Sequence, residues 1–148
     1  MSLVLSAIAE RARTTPQTLA LVGATAEFTW VELQSEIDRK QAWLGDRLVG
    51  LPSDAPVGVA LDNGPAWVVI DLALIALGRA SVPLPPFFTH EQRVHALTDA
   101  GACLVLRPQM SADDTVGEIA GAKVAAQVLG FPPRALHPGT AKVTYTSG

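Results

Sequence analysis

A single cysteine, Cys103, occurs in the 148 residues, and this excludes an internal disulfide framework. With only three scattered histidines beside it, the chain cannot complete a zinc site of Cys and His ligands. Charged residues are few, 17% against 49% hydrophobic, which excludes a disordered chain kept in solution by its charges. No basic run occurs, and a net charge of −3 excludes an extended nucleic-acid surface. Long apolar runs are missing too. The longest, Ala66 to Leu77, is 12 residues and contains Asp71, whereas a membrane span needs about 20. Leu3 to Ala9 lacks a basic start and runs into Glu10, Arg11 and Arg13, the pattern of an amphipathic helix rather than a signal peptide. Internal repeats and low-complexity tracts are absent. What remains is one cytoplasmic globular unit over residues 1–148, long enough to bury a core.

Several segments carry clear local signals. Leu3 to Arg13 reads as a helix that stops before Thr14-Thr15-Pro16. Leu19–Val22 and Glu27–Trp30 read as two extended pieces of a small hairpin. Thr29 and Glu32 stand at capping-box spacing and open a helix. That helix places Leu33, Ile37, Leu44 and Leu48 on one face, with Glu36, Arg39, Lys40 and Asp46 elsewhere. Val57 to Leu61 reads as a strand buried on both faces, in which small Gly58 and Ala60 let a helix pack close. Asp62-Asn63-Gly64-Pro65 turns the chain, with Asn63 as a helix cap and Pro65 in the first turn. The helix to Leu77 is apolar nearly all round and must be covered on more than one side; Gly78 ends it.

Ala80 to Leu84 is a further strand, confined to an edge or strand end by Pro83. Thr89 and Gln92 repeat the capping-box spacing for a helix with Val94 and Leu97 inward and Gly101 as its stop. Ala102 to Leu106 comes next as a buried strand. Beyond Arg107, Met110 to Thr115 is polar, Val116 to Ala126 reads as a helix, and Ala125 to Leu129 as a strand. Phe131 to Thr140 is a proline-rich loop. Alternating strands and helices with short links predict an α/β fold, a mainly parallel sheet with helices on both faces.

Few side chains invite chemistry. His90, His95 and His137 have no Ser, Cys or acidic partner at a telling spacing and read as solvated or satisfied histidines. Cys103, mid-strand, reads as a small buried hydrophobe, and Asp113-Asp114 as solvated carboxylates. Asp71 is the anomaly, a carboxylate in an apolar helix that must either join a polar network or face a cavity. Asp62, Asn63 and Gly64 lie just past a strand's carboxyl end, where open α/β sheets hold ligands; a helix cap and turn accounts for the same three residues. At the far end, Val143-Thr144-Tyr145 leads into Thr146-Ser147-Gly148. Small hydroxyl residues and a glycine after a strand form the entrance to a phosphate-cradling loop. The glycine admits a close backbone approach, and hydroxyls and amides donate to the anion. The same tripeptide also makes common turns.

The order of these segments resembles the opening of the AMP-forming acyl-adenylate synthetases: acyl-CoA synthetases, peptide-synthetase adenylation domains and luciferases. The resemblance is carried by Thr15-Pro16 with Leu19–Val22, by Phe28-Thr29-Trp30-Val31-Glu32-Leu33, and by Val57 through Val68. It continues in Gly78-Arg79-Ala80-Ser81-Val82-Pro83-Leu84, in Thr89 through Leu106, and in Tyr145-Thr146-Ser147-Gly148, which is similar to the start of the family's phosphate loop. Residues 107 to 138 resemble the family least. The resemblance implies an N-terminal subdomain, an incomplete part of a larger AMP-binding domain. The parent enzyme would use ATP and magnesium to turn a small carboxylic acid into an acyl-adenylate, then pass it to CoA or a carrier-bound pantetheine. Thr146, Ser147 and Gly148 would begin the ATP phosphate loop. No catalytic residue or metal ligand is assigned in this chain, and by itself it is expected to be inactive, with no useful ATP affinity. A fragment of this kind would expose an apolar face and could pair with a second copy through it. The competing expectation is a stand-alone, non-catalytic α/β module that binds a ligand or partner.

Overall fold

Alternate residues of the central strands point to opposite faces of the sheet, and this sorts the core into two parts. The computed structural model describes residues 2–146. In strands β3 (Val57–Val59) and β5 (Leu104–Pro108), the side chains of Val57, Val59, Leu104 and Leu106 join one apolar cluster. That cluster includes Ile37 and Leu44 from helix α2 (Trp30–Leu48) and Val69, Ile70 and Leu74 from helix α3 (Pro65–Ala76). Val105, together with Val82 of β4 (Ser81–Pro83), joins the second cluster, with Ala96, Leu97 and Ala100 of α4 (His90–Ala100). Helices thus cover both faces, as the α/β pattern predicts. At Gly58 the approach is so close that an added Cβ would overlap Leu97 Cδ2, which explains the small residue there.

The five-stranded sheet has the order β4-β3-β5-β7-β6, with β6 spanning Val116–Ile119 and β7 Ala122–Val128. β4, β3 and β5 are parallel; β7 runs antiparallel to β5, and β6 to β7. β1 (Leu19–Val22) and β2 (Glu27–Thr29) form the small hairpin, preceded by α1 (Leu3–Thr14). β4 lies at the end of the order, where Pro83 breaks no ladder.

Both capping boxes form. Glu32 N donates to Thr29 Oγ1 at 3.3 Å while Thr29 N donates to Glu32 Oε1 at 2.9 Å. Thr89 and Gln92 repeat this at 3.2 and 2.8 Å. Gly101 closes α4 in the left-handed conformation, φ 65°.

Four expectations need correction. Val116 to Ala126 is not a helix: Ala120 and Gly121 both take positive φ, 51° and 83°, between paired Ile119 and Ala122. Two positive-φ residues make a tight hairpin turn whose twist matches that of the strands. Asn63 does not cap α3; the cap position is Gly64, without a side-chain bond, and Pro65 stands next in the first turn. Val94 is exposed, because α4 buries only a narrow stripe through Ala96, Leu97 and Ala100. Glu36 and Lys40 are buried rather than on an open face. α2 is packed by α1, α3, the β1–β2 hairpin and β6, so residues flanking its apolar stripe are covered as well. Glu36 there pairs with Arg39 and lies 4.0 Å from Lys40.

Candidate functional site at the carboxyl edge of the parallel strands

After the proline-rich loop the chain returns to the sheet beside β4. Ser81 N donates to Ala141 O at 3.0 Å, and Val143 N donates to Ser81 O at 2.8 Å. Lys142 thereby pairs in parallel with Ser81. The returning segment runs the same way as β4, β3 and β5, so Tyr145 and Thr146 emerge at the carboxyl edge these strands share. Leu61-Asp62-Asn63 leave β3 at that edge and Leu84 leaves β4 there. Open α/β sheets receive ligands at this edge.

The returning segment is held on both faces of the sheet. On the α4 side, Tyr145 Oη donates to Asp99 Oδ2 at 2.7 Å, and its ring meets His95 edge-on, centroids 6.1 Å apart. Burial, followed by the hydrogen bond to Asp99, pushes the Tyr145 phenol up to about 12. On the α3 side, Lys142 Nζ forms an ion pair with Asp71, lies 3.4 Å from Ser81 Oγ, and sits 5.1 Å from the centroid of Trp67. The anomalous carboxylate of α3 therefore belongs to a polar network whose other half is 71 residues downstream.

A cavity of about 260 Å³ opens at this edge, lined by Phe88, Glu91, Gln92, His95, Tyr145 and Thr146. Of the three residues expected to begin a phosphate loop, exposed Thr146 lies here, and Ser147 and Gly148 fall outside the described residues. The structure brings His95 to the same cavity as Thr146, a pairing that their wide separation in sequence does not reveal. A second cavity, about 270 Å³, opens past the end of β3 and is lined by Asp62, Asn63 and Gly64 opposite Ala120 and Lys123. With Asn63 released from capping, these residues border open space, the alternative left open by their position after a strand.

The remaining candidates stay apart from this edge. Cys103 is buried, burial pushes its thiol up, and Arg79 Nη1 lies 3.9 Å from its sulfur while donating to Ala55 O at 2.9 Å. Asp114 is not simply solvated, in contrast to its expected state. It accepts from Arg107 at 3.0 and 3.3 Å and from the amides of Met110 and Ser111 at 2.8 and 3.0 Å, so its carboxyl is held well below the usual range. His90 and His137 are exposed. Among the described residues, no three His, Cys, Asp or Glu side chains converge to hold a metal ion, and no helix is long and apolar enough to cross a membrane.

A family model described as AMP-binding enzyme matches residues 8–148, and the chain belongs to that family. Among curated proteins, it is 31% identical over 120 residues to tyrocidine synthase 3 of Brevibacillus parabrevis, covering 81% of this chain and 2% of that protein. It is 26% identical over 144 residues to bacitracin synthase 3 of Bacillus licheniformis, covering 94% and 2%. The chain therefore spans only a small part of the curated relatives it matches. Among solved structures, VinN in complex with L-aspartate superposes with a TM-score of 0.66 at 25% identity, over 74% of this chain and 30% of that one. The N-terminal subdomain of Klebsiella oxytoca NpsA, bound to 3-hydroxyanthranilyl-AMSN, superposes with a TM-score of 0.61 at 22% identity, over 70% and 26%, a likeness of fold alone. The fold is that of the N-terminal subdomain of the adenylate-forming enzymes.

Proposed function

We propose that this chain forms the N-terminal part of an adenylation unit that activates a carboxylic acid with ATP, with Thr146, Ser147 and Gly148 opening the loop that holds the nucleotide's phosphates. The observation that carries this reading is the parallel return beside β4, which delivers Tyr145-Thr146 to the carboxyl edge of the sheet. Family membership over residues 8–148 supports it. The fit on the described residues is the exposed Thr146 beside a cavity of about 260 Å³. Bound ATP would supply the α-phosphorus electrophile and the pyrophosphate leaving group. This chain's contribution is to fix where the loop starts, a positioning role.

Two of the relatives are named as synthases of tyrocidine and bacitracin, and VinN is seen with L-aspartate. An amino acid is accordingly the favoured acid, and a carrier-bound pantetheine thiol the favoured acceptor over CoA, in a cytoplasmic reaction. No residue here is assigned to magnesium. Phe87 is 72% exposed, and Val94 of α4 is exposed too. The rest of the adenylation unit would pack on this surface, and the isolated 148 residues would be inactive and self-associate through it.

The test is to read the gene past codon 148 and assay its complete product for acid-dependent ATP–pyrophosphate exchange across the amino acids. Exchange with one acid establishes the reading and names the substrate. A complete product that exchanges with no carboxylic acid would leave a non-catalytic binding module as the function.

A further inference from the structure

The backbone of the returning segment has a slender hold on the sheet. Its pairing with β4 is an isolated bridge at Ser81–Lys142, with the two hydrogen bonds through Ser81. Edge segments held by so few bonds open at low free-energy cost. Yet the position of Thr146 depends on this one register, and a slip by one residue would send each side chain to the other face.

The side chain of Lys142 adds what the backbone lacks. Its ammonium meets three groups from two elements: Asp71 and the Trp67 ring from successive turns of α3, and Ser81 Oγ from β4. The Asp71 side chain is only 19% exposed and that of Lys142 35%, so the pair is partly shielded from water and screened less than a surface pair. A carboxylate inside an otherwise apolar helix costs stability unless it is paired, and Lys142 of the returning segment supplies the cation that pairs with Asp71.

We propose that the Asp71–Lys142 pair is a clamp that sets the register of the nucleotide loop, making both of them positioning residues rather than catalytic ones. The proposal rests on the reading that Thr146 opens that loop. About four residues of extended chain, roughly 13 Å, separate Lys142 from Thr146, so the effect travels through the backbone and not through contact with ATP.

Two readouts test it. In the 148-residue protein, Lys142→Met keeps an unbranched side chain and removes the ammonium that meets Asp71, Ser81 and the Trp67 ring. Hydrogen exchange at the Val143 amide should accelerate about tenfold, the loss expected for one charge-assisted contact. The Ala60 amide, which donates to Leu106 O at 2.8 Å in the sheet interior, should be unaffected, and Lys142→Arg should restore protection. In the complete enzyme, the same substitution should raise KM for ATP several-fold in pyrophosphate exchange with little change in kcat. Unchanged exchange at Val143, or equal acceleration at Ala60, overturns the clamp. Opening at Val143 without a rise in KM overturns its role in positioning the loop. A wild-type enzyme with no exchange activity fails differently: it removes the adenylation reading, and the loop assignment goes with it.

Discussion

Replacing Gly101 with alanine tests how the chain is steered back to the site. Gly101 ends α4 at φ 65°, and an added Cβ would stand 2.7 Å from Arg134 N and 3.0 Å from Pro132 O. Both are backbone atoms of the loop that leads to Ala141, so no flexible side chain can swing away. Gly78 makes an informative control. It ends α3 at φ 67°, but nothing lies within 4 Å of its Cβ position. Left-handed alanine costs about 1–2 kcal/mol, offset by about 0.4–1 kcal/mol because alanine also restricts the unfolded chain. Gly78→Ala should therefore cost about 1 kcal/mol. Gly101→Ala adds an overpacking cost of about 1–3 kcal/mol, for a total of about 2–4 kcal/mol. Urea unfolding of the two variants side by side measures the difference. The crowded variant should also lose protection at Val143, since Pro132 and Arg134 must shift and the return path shifts with them. Equal destabilisation of the two would show that the loop does not rest on Gly101, and the structural account of how Thr146 is delivered would fail.

Single contacts set the remaining outcomes. Thr29→Ala and Thr89→Ala each remove a helix cap and should each cost about 1 kcal/mol, read from the denaturation midpoint; no change would remove the cap from the account. Asp114 is held below its ordinary value of 3.8 by Arg107 and two amides, so its contribution to stability is present above that value and lost as pH falls towards the folded one. The stability gap between wild type and Asp114→Asn should therefore narrow as the pH falls below about 4, and a gap independent of acid pH would contradict the pairing. Tyr145 is the one tyrosine in the chain, so tyrosinate absorbance reports on it alone. It should titrate at about 12, and lower in Asp99→Asn. Because the folded value is raised, its contribution is complete below the ordinary value of 10 and lost as pH rises through the folded one. Titration at the ordinary value would mean that the tyrosine is not seated on α4.

Most of the fold was legible because its signals are local. The two capping boxes, Gly78 and Gly101 as stops, and the doubly buried β3 depend on neighbours within a few residues. So does the placement of Pro83 on an edge. The β6–β7 hairpin was not legible as a strand pair, and the reason is physical. Val116, Ile119, Val124 and Ala126 can be fitted to helical spacing, and residues 116–126 lack the Asn-Gly or Asp-Gly pair that usually announces a hairpin. The turn is made instead by Ala120-Gly121, with Ala120 at a φ of 51°. Registered pairing of β7 with β5 from Leu104–Val128 to Pro108–Val124 offsets the cost of that conformation, and such a long-range gain is invisible in a short sequence window. The antiparallel hairpin also makes the sheet mixed, where alternation of strands and helices suggested mainly parallel pairing.

The site shows the same limit in sharper form. Charge placement reveals an anomaly but not its partner. Asp71 stood out because an apolar helix has no use for a carboxylate, and that inference needed only the helix. That Lys142 answers it depends on the chain leaving the sheet at β7, passing Gly101 and returning beside β4, which no spacing encodes. Glu36 and Lys40 illustrate the converse: they lie off the apolar stripe of their helix, and only the packing of α2 on several sides buries them. His95 is exposed, as a solvated histidine is expected to be, and the Tyr145 ring it meets edge-on comes from the far end of the chain. A motif such as Tyr145-Thr146-Ser147-Gly148 is read from its own residues, whereas the groups that hold the segment leading into it come from elements already laid down. The returning segment is where sequence and structure must be read together, and Lys142 and Tyr145, gripping α3 and α4 from opposite faces of it, show why.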